Sequence, residues 1–318
     1  MTVLLVSFGC AGLAGLIAWW VARRWWGSDA GAPRVDAATI QSEVRRHARG
    51  ARWLRTHLDP ELAAGSILAM VGLVAIVGGG AFGLLLVMVQ THRGFADFDA
   101  GAARFGADHA TAVSTHVLRI VTQFGGAYVI VPLAVVVGAV EAWRFRSWAT
   151  TAFLTVVVGG QFALADVIKA AVGRARPDVL RLTGFSGPSF PSGHATAASA
   201  VFAAFALLVG RGRSSRTKAV LVALSVGAAV LIATTRVLLG VHWLTDVLAG
   251  LCLGWTWFAA TSIAFGGRRL RFGAPLVTAE RASRSFSAGS ASSTEATLPR
   301  VDERRDQREP AGPRPSAT

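Results

Sequence analysis

Residues 219 to 254 read AVLVALSVGAAVLIATTRVLLGVHWLTDVLAGLCLG. Two apolar runs meet here, 219 to 239 and 243 to 265, and each is long enough for the roughly 20-residue helix that crosses a bilayer core. Only residues 240 to 242 separate them. Arg236, His242 and Asp246 crowd that junction, and ionisable groups at such a depth are costly unless they are paired, solvated or used. The stretch therefore indicates an all-α, polytopic membrane helix bundle and marks one end of it as the place to look for chemistry.

Working outward, five further apolar stretches approach spanning length, at roughly 3 to 22, 62 to 89, 120 to 140, 148 to 168 and 194 to 210. The composition agrees. Of 318 residues 53% are hydrophobic and 16% charged, too apolar a balance for a soluble protein of this size. The net charge of +14 would suggest nucleic acid on a soluble domain, but the basic residues lie between apolar runs instead of in a patch, so no nucleic-acid partner is expected. Cys10 and Cys252 both sit within apolar stretches, which excludes a disulfide framework and a cysteine-rich metal site.

Loop charge orients the bundle, because short cytoplasmic connections are enriched in Lys and Arg. Arg23, Arg24, Arg34, Arg45, Arg46, Arg49, Arg52 and Arg55 follow the first span, and Arg144 and Arg146 follow the third. Arg211, Arg213, Arg216 and Lys218 follow the fifth, and Arg268, Arg269 and Arg271 follow the seventh. The amino terminus is thus expected outside and the carboxyl terminus in the cytoplasm. The first span has its arginines on the far side of the apolar run, the reverse of a secretory signal, and reads as a retained anchor.

Three polar clusters stand out against this background. Lys169-Ala-Ala-Val-Gly-Arg-Ala-Arg176-Pro177 closes the fourth span, with Pro177 expected to stop the helix. Pro191-Ser192-Gly193-His194 opens the fifth, and Thr235-Arg236, His242 and Asp246 link the sixth to the seventh. Singly, each has a bland explanation: a snorkelling lysine, a helix cap, half of a structural ion pair. Together they do not, because the topology derived from loop charge alone brings all three to the outer ends of four helices.

Those residue types suit phosphoryl transfer. Lys169, Arg176 and Arg236 offer three positive charges to a phosphate, and arginine's planar fork can hold two oxygens at once. Ser192 and the amides around Gly193 stand at a helix start, where unpaired N–H groups and the helix dipole favour an anion. His242 and Asp246 are spaced i, i+4, so they share a face and the carboxylate can orient the imidazole, making His242 the candidate nucleophile. His194 is left to protonate the leaving oxygen and then to deprotonate water. No metal and no other cofactor is expected, since the cations supply the electrostatic stabilisation and the carboxylates do not cluster. Asp166 is expected to pair with Lys169 at i, i+3 as a packing contact.

At these residues the sequence closely resembles the type 2 phosphatidic acid phosphatase superfamily, which includes vanadium-dependent haloperoxidases and bacterial lipid phosphatases. The family's three-part signature maps onto Lys169 to Pro177, Pro191 to His194 and Arg236 to Asp246 without change of spacing; Thr235 stands where the family usually has Ser. The resemblance implies a membrane phosphatase cleaving a phosphomonoester or pyrophosphate on a lipid, such as phosphatidate, phosphatidylglycerol phosphate, diacylglycerol pyrophosphate or a polyprenyl pyrophosphate. It implies a multi-pass protein of the plasma membrane with the site on the exoplasmic side. A haloperoxidase, a lipid phosphotransferase using the same site, and a non-catalytic transporter or scaffold are the competing readings.

The expected organisation is an anchor helix at 1–25, a basic linker at 26–61, a six-span phosphatase core at 62–267 and a disordered cytoplasmic tail at 268–318. Within the linker, Ile40, Val44, Ala48, Ala51, Leu54 and Leu58 share a helical face, as an interfacial helix would place them. In the 178 to 190 connection, Phe185 and Phe190 are expected to line the entrance, and Arg181 to be within reach of a second phosphate.

Overall fold

The computed structural model describes residues 1–27, 65–91, 93–94 and 96–266. Most of the expected linker, with its interfacial helix, and all of the expected tail lie outside the described residues. Among the described residues there are nine helices and no strand. They are α1 (Thr2–Gly27), α2 (Gly65–Thr91), α3 (Ala96–Asp108), α4 (Ala112–Gln123), α5 (Ala127–Phe145), α6 (Ala149–Val172), α7 (Gly193–Val209), α8 (Ser215–Leu238) and α9 (Leu244–Gly266).

Six of these, α1, α2, α5, α6, α8 and α9, carry segments long and apolar enough to cross a membrane. Large apolar side chains are exposed along them, such as Leu16 on α1, Ile76 on α2 and Val135 on α5, as expected of surfaces that face acyl chains. The fifth expected span, α7, has 17 residues. At 1.5 Å per residue that is about 26 Å, short of the roughly 30 Å hydrocarbon core. Its position explains why the length suffices. α7 is the central helix, packed on by α5, α6, α8 and α9. Ala197, Ala200, Val201 and Ala204 face a cluster built from α5 and α6, while Ala195 and Ala198 face one built from α8 and α9.

Small residues set the spacing around it. A Cβ on Gly250 of α9 would lie 2.7 Å from the Ser192 carbonyl oxygen, and one on Gly254 would overlap the Ser199 hydroxyl and the Thr196 carbonyl. Close backbone approach of this kind is how membrane helices gain van der Waals contact where apolar burial gives no advantage over lipid. α1 uses the same device on α8: a Cβ on Gly15 would stand 3.1 Å from the Ala223 carbonyl oxygen, and one on Gly227 3.2 Å from that of Ala11.

Two expectations are corrected. The third span does not run from 120 to 140; the helix breaks after Gln123, turns through Gly125 and Gly126, and restarts as α5. The reason is steric, since a Cβ on Gly125 would lie 2.5 Å from Ile232 Cγ2 and 3.2 Å from the His194 carbonyl oxygen. The fourth span is stopped by Gly173 and not by Pro177: Gly173 takes φ 62° and returns its N–H to the Lys169 carbonyl. A glycine serves there because a left-handed cap strains a residue with a Cβ. The 90 to 119 connection is itself largely helical. α4 starts with a reciprocal cap in which Ser114 N donates to Thr111 Oγ1 at 3.1 Å and Thr111 N to Ser114 Oγ at 2.9 Å.

Candidate active site

The last turn of α6, the first turn of α7, the end of α8 and the start of α9 meet at one end of the bundle. The basic connections containing Arg146 and Arg211 lie at the other, where Arg211 stacks over Phe145 at 4.1 Å. A non-helical segment, 173–192, crosses the site end. It is held by Ser189 N donating to the Arg174 carbonyl at 2.8 Å, Ser189 Oγ to that of Ala175 at 2.9 Å, and Leu182 N to that of Leu239 at 3.0 Å.

All eight residues singled out in the sequence belong to this end. Ser192 caps α7, is fully buried, and donates its N–H to the Asp246 carbonyl at 3.0 Å, so α7 and α9 are joined at the site itself. The Lys169 ammonium stands 3.4 Å from where a Cβ on Gly193 would be. No ion pair within 4 Å joins Lys169 to Asp166, contrary to expectation, and the acid is exposed. His194 occupies the first turn of α7, with Nε2 3.6 Å from the position a Cβ on Gly126 would take. The Gly125–Gly126 turn therefore makes room for that imidazole.

His242 is buried, at 2% exposure. Its Nδ1 faces Asp246 Oδ2 at 3.4 Å, and its Nε2 lies 3.3 Å from Arg176 Nη1. Burial pushes its pKa from 6.5 down to about 4, against the opposing pull of the Asp246 carboxylate, so the ring is neutral at pH 7. With Nδ1 toward the carboxylate, Nε2 is the nitrogen left with a lone pair on the pocket side. Arg176 is aimed by carbonyls: it donates to Ser186 at 2.7 Å, Gly187 at 2.9 Å and Val241 at 2.6 Å, and stacks over Phe185 at 4.9 Å. Its own pKa is lowered, first by burial.

Arg236 is 4% exposed and, among the described residues, pairs with no carboxylate. Its Nη1 donates to Thr122 Oγ1 at 3.1 Å, while its Nε has no hydrogen-bond partner among the described residues. The Ser192 hydroxyl likewise lacks one among the described residues. A buried guanidinium without a counter-ion is strongly disfavoured, and unmade hydrogen bonds at buried polar atoms cost about 1–3 kcal/mol each. Such an arrangement is chemically suited to receive an anion. Thr235 uses its hydroxyl on its own helix, donating to the Ile232 carbonyl at 2.6 Å.

One entrance assignment differs from expectation. Phe185 is half exposed, but Phe190 is fully buried against Phe82, with ring centres 5.9 Å apart, and packs with Leu85 and Val89 of α2. An aromatic in that position joins α2 to the core. Arg181 bonds the Pro177 carbonyl at 3.2 and 3.0 Å and stacks over Phe185 at 5.0 Å. Residues that the sequence reading passed over also reach the site: Thr122 under Arg236, and Asp99, Arg174 and Thr245 around Asp246. Arg174 lies inside the first motif, two residues before Arg176, and that proximity was its only signal.

Comparison with known proteins places this geometry. Residues 149–269 match the PAP2 superfamily. Lipid A 1-phosphatase of Rhizobium etli is 42% identical over 130 residues, which are 38% of this chain and 51% of that protein. Phosphatidylglycerophosphatase B of Bacillus subtilis is 34% identical over 140 residues, 43% of this chain and 68% of that one. The chain belongs to the PAP2 superfamily. A solved PAP2 structure, the transmembrane phosphatidylglycerolphosphate phosphatase of Bacillus subtilis, superposes with a TM-score of 0.56 at 27% identity, covering 61% of this chain and 98% of that one. The chain thus spans about half the length of the lipid A 1-phosphatase and nearly all of the solved phosphatase. With its apolar helices, this PAP2 chain is a multi-pass membrane protein.

Proposed function

We propose that the protein is a membrane lipid phosphatase that hydrolyses a phosphomonoester or pyrophosphate on a lipid through a phosphohistidine. The observation that carries the reading is the buried Arg236, without a carboxylate partner among the described residues, at the end of the bundle that also holds the unpartnered Ser192 hydroxyl and His242. In this mechanism Lys169, Arg176 and Arg236 hold the phosphoryl oxygens, and Ser192 and the Gly193 amide complete the cradle. His242 Nε2 attacks phosphorus as the bond to the leaving oxygen breaks, and His194 gives that oxygen a proton. Water then attacks the phosphohistidine while His194 takes the proton back, releasing phosphate and restoring both histidines. Asp246 stabilises the positive charge that forms on His242.

The site faces the exoplasmic side in this reading, supported by the run of arginines at the opposite end of the bundle. The names of the relatives support a lipid phosphate as the substrate class. The test is phosphate release by the purified protein in detergent with EDTA, across phosphatidate, phosphatidylglycerol phosphate, diacylglycerol pyrophosphate and undecaprenyl pyrophosphate, beside His242→Ala. Release that persists in EDTA and vanishes in the variant is expected. Folded protein that releases phosphate from none of the four would refute the proposal.

A further inference from the structure

Asp99, Arg174, Thr245 and Asp246 form one polar cluster drawn from three separate segments: α3, the connection after α6, and the start of α9. Arg174 stands between two carboxylates, with Nη1 donating to Asp246 Oδ1 at 2.6 Å and Nη2 to Asp99 Oδ2 at 2.9 Å. Nη1 also donates to Thr245 Oγ1 at 2.7 Å. That hydroxyl donates to Asp99 Oδ2 at 2.6 Å, and the Thr245 N–H donates to Asp99 Oδ1 at 2.8 Å. Asp99, Thr245 and Asp246 are at most 2% exposed, and the Trp243 ring covers Arg174 at 5.4 Å.

The four cations near the site therefore divide by partner. Among the described residues Lys169, Arg176 and Arg236 form no ion pair with a carboxylate, whereas Arg174 bonds two, Asp246 through Nη1 and Asp99 through Nη2. Both oxygens of Asp246 are committed: Oδ1 to Arg174, Oδ2 to the Trp243 N–H at 2.9 Å and to His242 at 3.4 Å. With Oδ1 pinned, the carboxylate cannot rotate away from the imidazole.

We infer that Arg174, anchored by Asp99 and Thr245, is a positioning residue that fixes the Asp246 carboxylate against His242. The inference rests on the phosphatase reading above. An ion pair serving the fold alone would need only Asp99 and Arg174. Here the same guanidinium nitrogen that touches Thr245 grips the one carboxylate that faces the nucleophile, and α3 is thereby coupled to the chemistry.

The test compares Arg174→Gln, Arg174→Lys and Asp99→Asn with the wild type and His242→Ala, all as full chains in detergent. The assay uses whichever of the four lipids above the wild type turns over fastest. Arg174→Gln should lower kcat about 100-fold, the loss expected when a reacting group drifts by about 1 Å. KM should stay within about threefold, because the phosphate-holding cations are untouched. The acid limb of kcat/KM against pH supplies a readout that a structural role would not move. His242 is faced by Asp246 from α9, Arg236 from α8, His194 from α7 and Arg176 from the connection, with Lys169 of α6 near His194. Removing the positive charge of Arg174 leaves Asp246 less compensated and favours the imidazolium, so the limb should move to higher pH. Asp99→Asn removes a negative charge and should move it the other way, each by about half a unit. Arg174→Lys should return the limb to its wild-type position and recover part of kcat.

Wild-type kcat in Arg174→Gln, or a loss that tracks the folded fraction with the limb unmoved, would overturn the inference. Where Arg174→Gln does not fold, Asp99→Asn decides by the direction of its limb. If the wild type releases no phosphate, or His242→Ala remains active, the phosphatase reading itself fails. If those two behave as proposed and only Arg174→Gln is unimpaired, the inference fails alone.

Discussion

Gly250→Ala adds a single methyl group at the contact that sets how far His242 and Asp246 stand from Ser192 and His194. The new Cβ would lie 2.7 Å from the Ser192 carbonyl oxygen, 3.0 Å from Ala195 Cβ and 3.2 Å from Thr196 Oγ1. Ordinary contact begins near 3.4 Å, and a backbone carbonyl cannot swing aside, so α7 and α9 must part by roughly 0.7 Å at Ser192 itself. If a 1 Å misplacement of reacting groups costs about 100-fold, this opening should lower kcat about 10- to 100-fold. Overpacking of this kind also costs about 1–3 kcal/mol of stability, which a thermal unfolding scan in detergent would register. Phosphate release should be measured at saturating lipid, with folded fraction determined in parallel. Gly80→Ala serves as control, since nothing stands within 4 Å of a Cβ there. Turnover of Gly250→Ala within twofold of the wild type would refute the claim that α7–α9 spacing tunes the site.

In the proposed mechanism the neutral form of His242 is the nucleophile, and burial holds its pKa near 4, so the acid limb that belongs to His242 should fall about tenfold per unit only below about 4. An acid limb near 6.5 would show that burial does not govern the ring. Phe190→Ala removes a fully buried ring and should cost about 3–5 kcal/mol of stability with KM unchanged; a shifted KM at intact stability would return Phe190 to the entrance. Gly15→Leu should wedge α1 away from Ala223 and lower the unfolding temperature while sparing kcat, because Ala223 is about 20 Å along α8 from Arg236. A hundredfold loss of kcat at intact fold would show that α1 reaches the site.

The spans were legible because membrane insertion is governed by the length and apolarity of contiguous stretches, both of which are properties of sequence. The polar residues of the site were legible for the complementary reason: a charge at the end of an apolar run stands out where no bulk water competes for it. Loop charge then sorted the ends, and that was enough to bring Lys169, Ser192, His194, Arg236 and His242 together before any coordinates. Asp99 was not legible. It sits in a segment of mixed charge that reads as an ordinary connection, and its partner Thr245 is 146 residues away. The break at Gly125 and Gly126 escaped for a similar reason, since hydropathy runs through it undisturbed and only the approach of Ile232 and His194 forbids a continuous helix.

By itself the sequence determined the helical architecture, the polar residues of the candidate site and that they gather at one end of the bundle, because each depends on local composition or on the order of spans along the chain. Only the tertiary structure decided that Arg174 belongs to Asp246 while Arg176 faces His242, that Phe190 is core, and that α7 can be short because four helices enclose it. Those outcomes turn on distances of a few ångströms between segments far apart in the chain. Glycines at the helix contacts set those distances, and no periodicity along one segment encodes them.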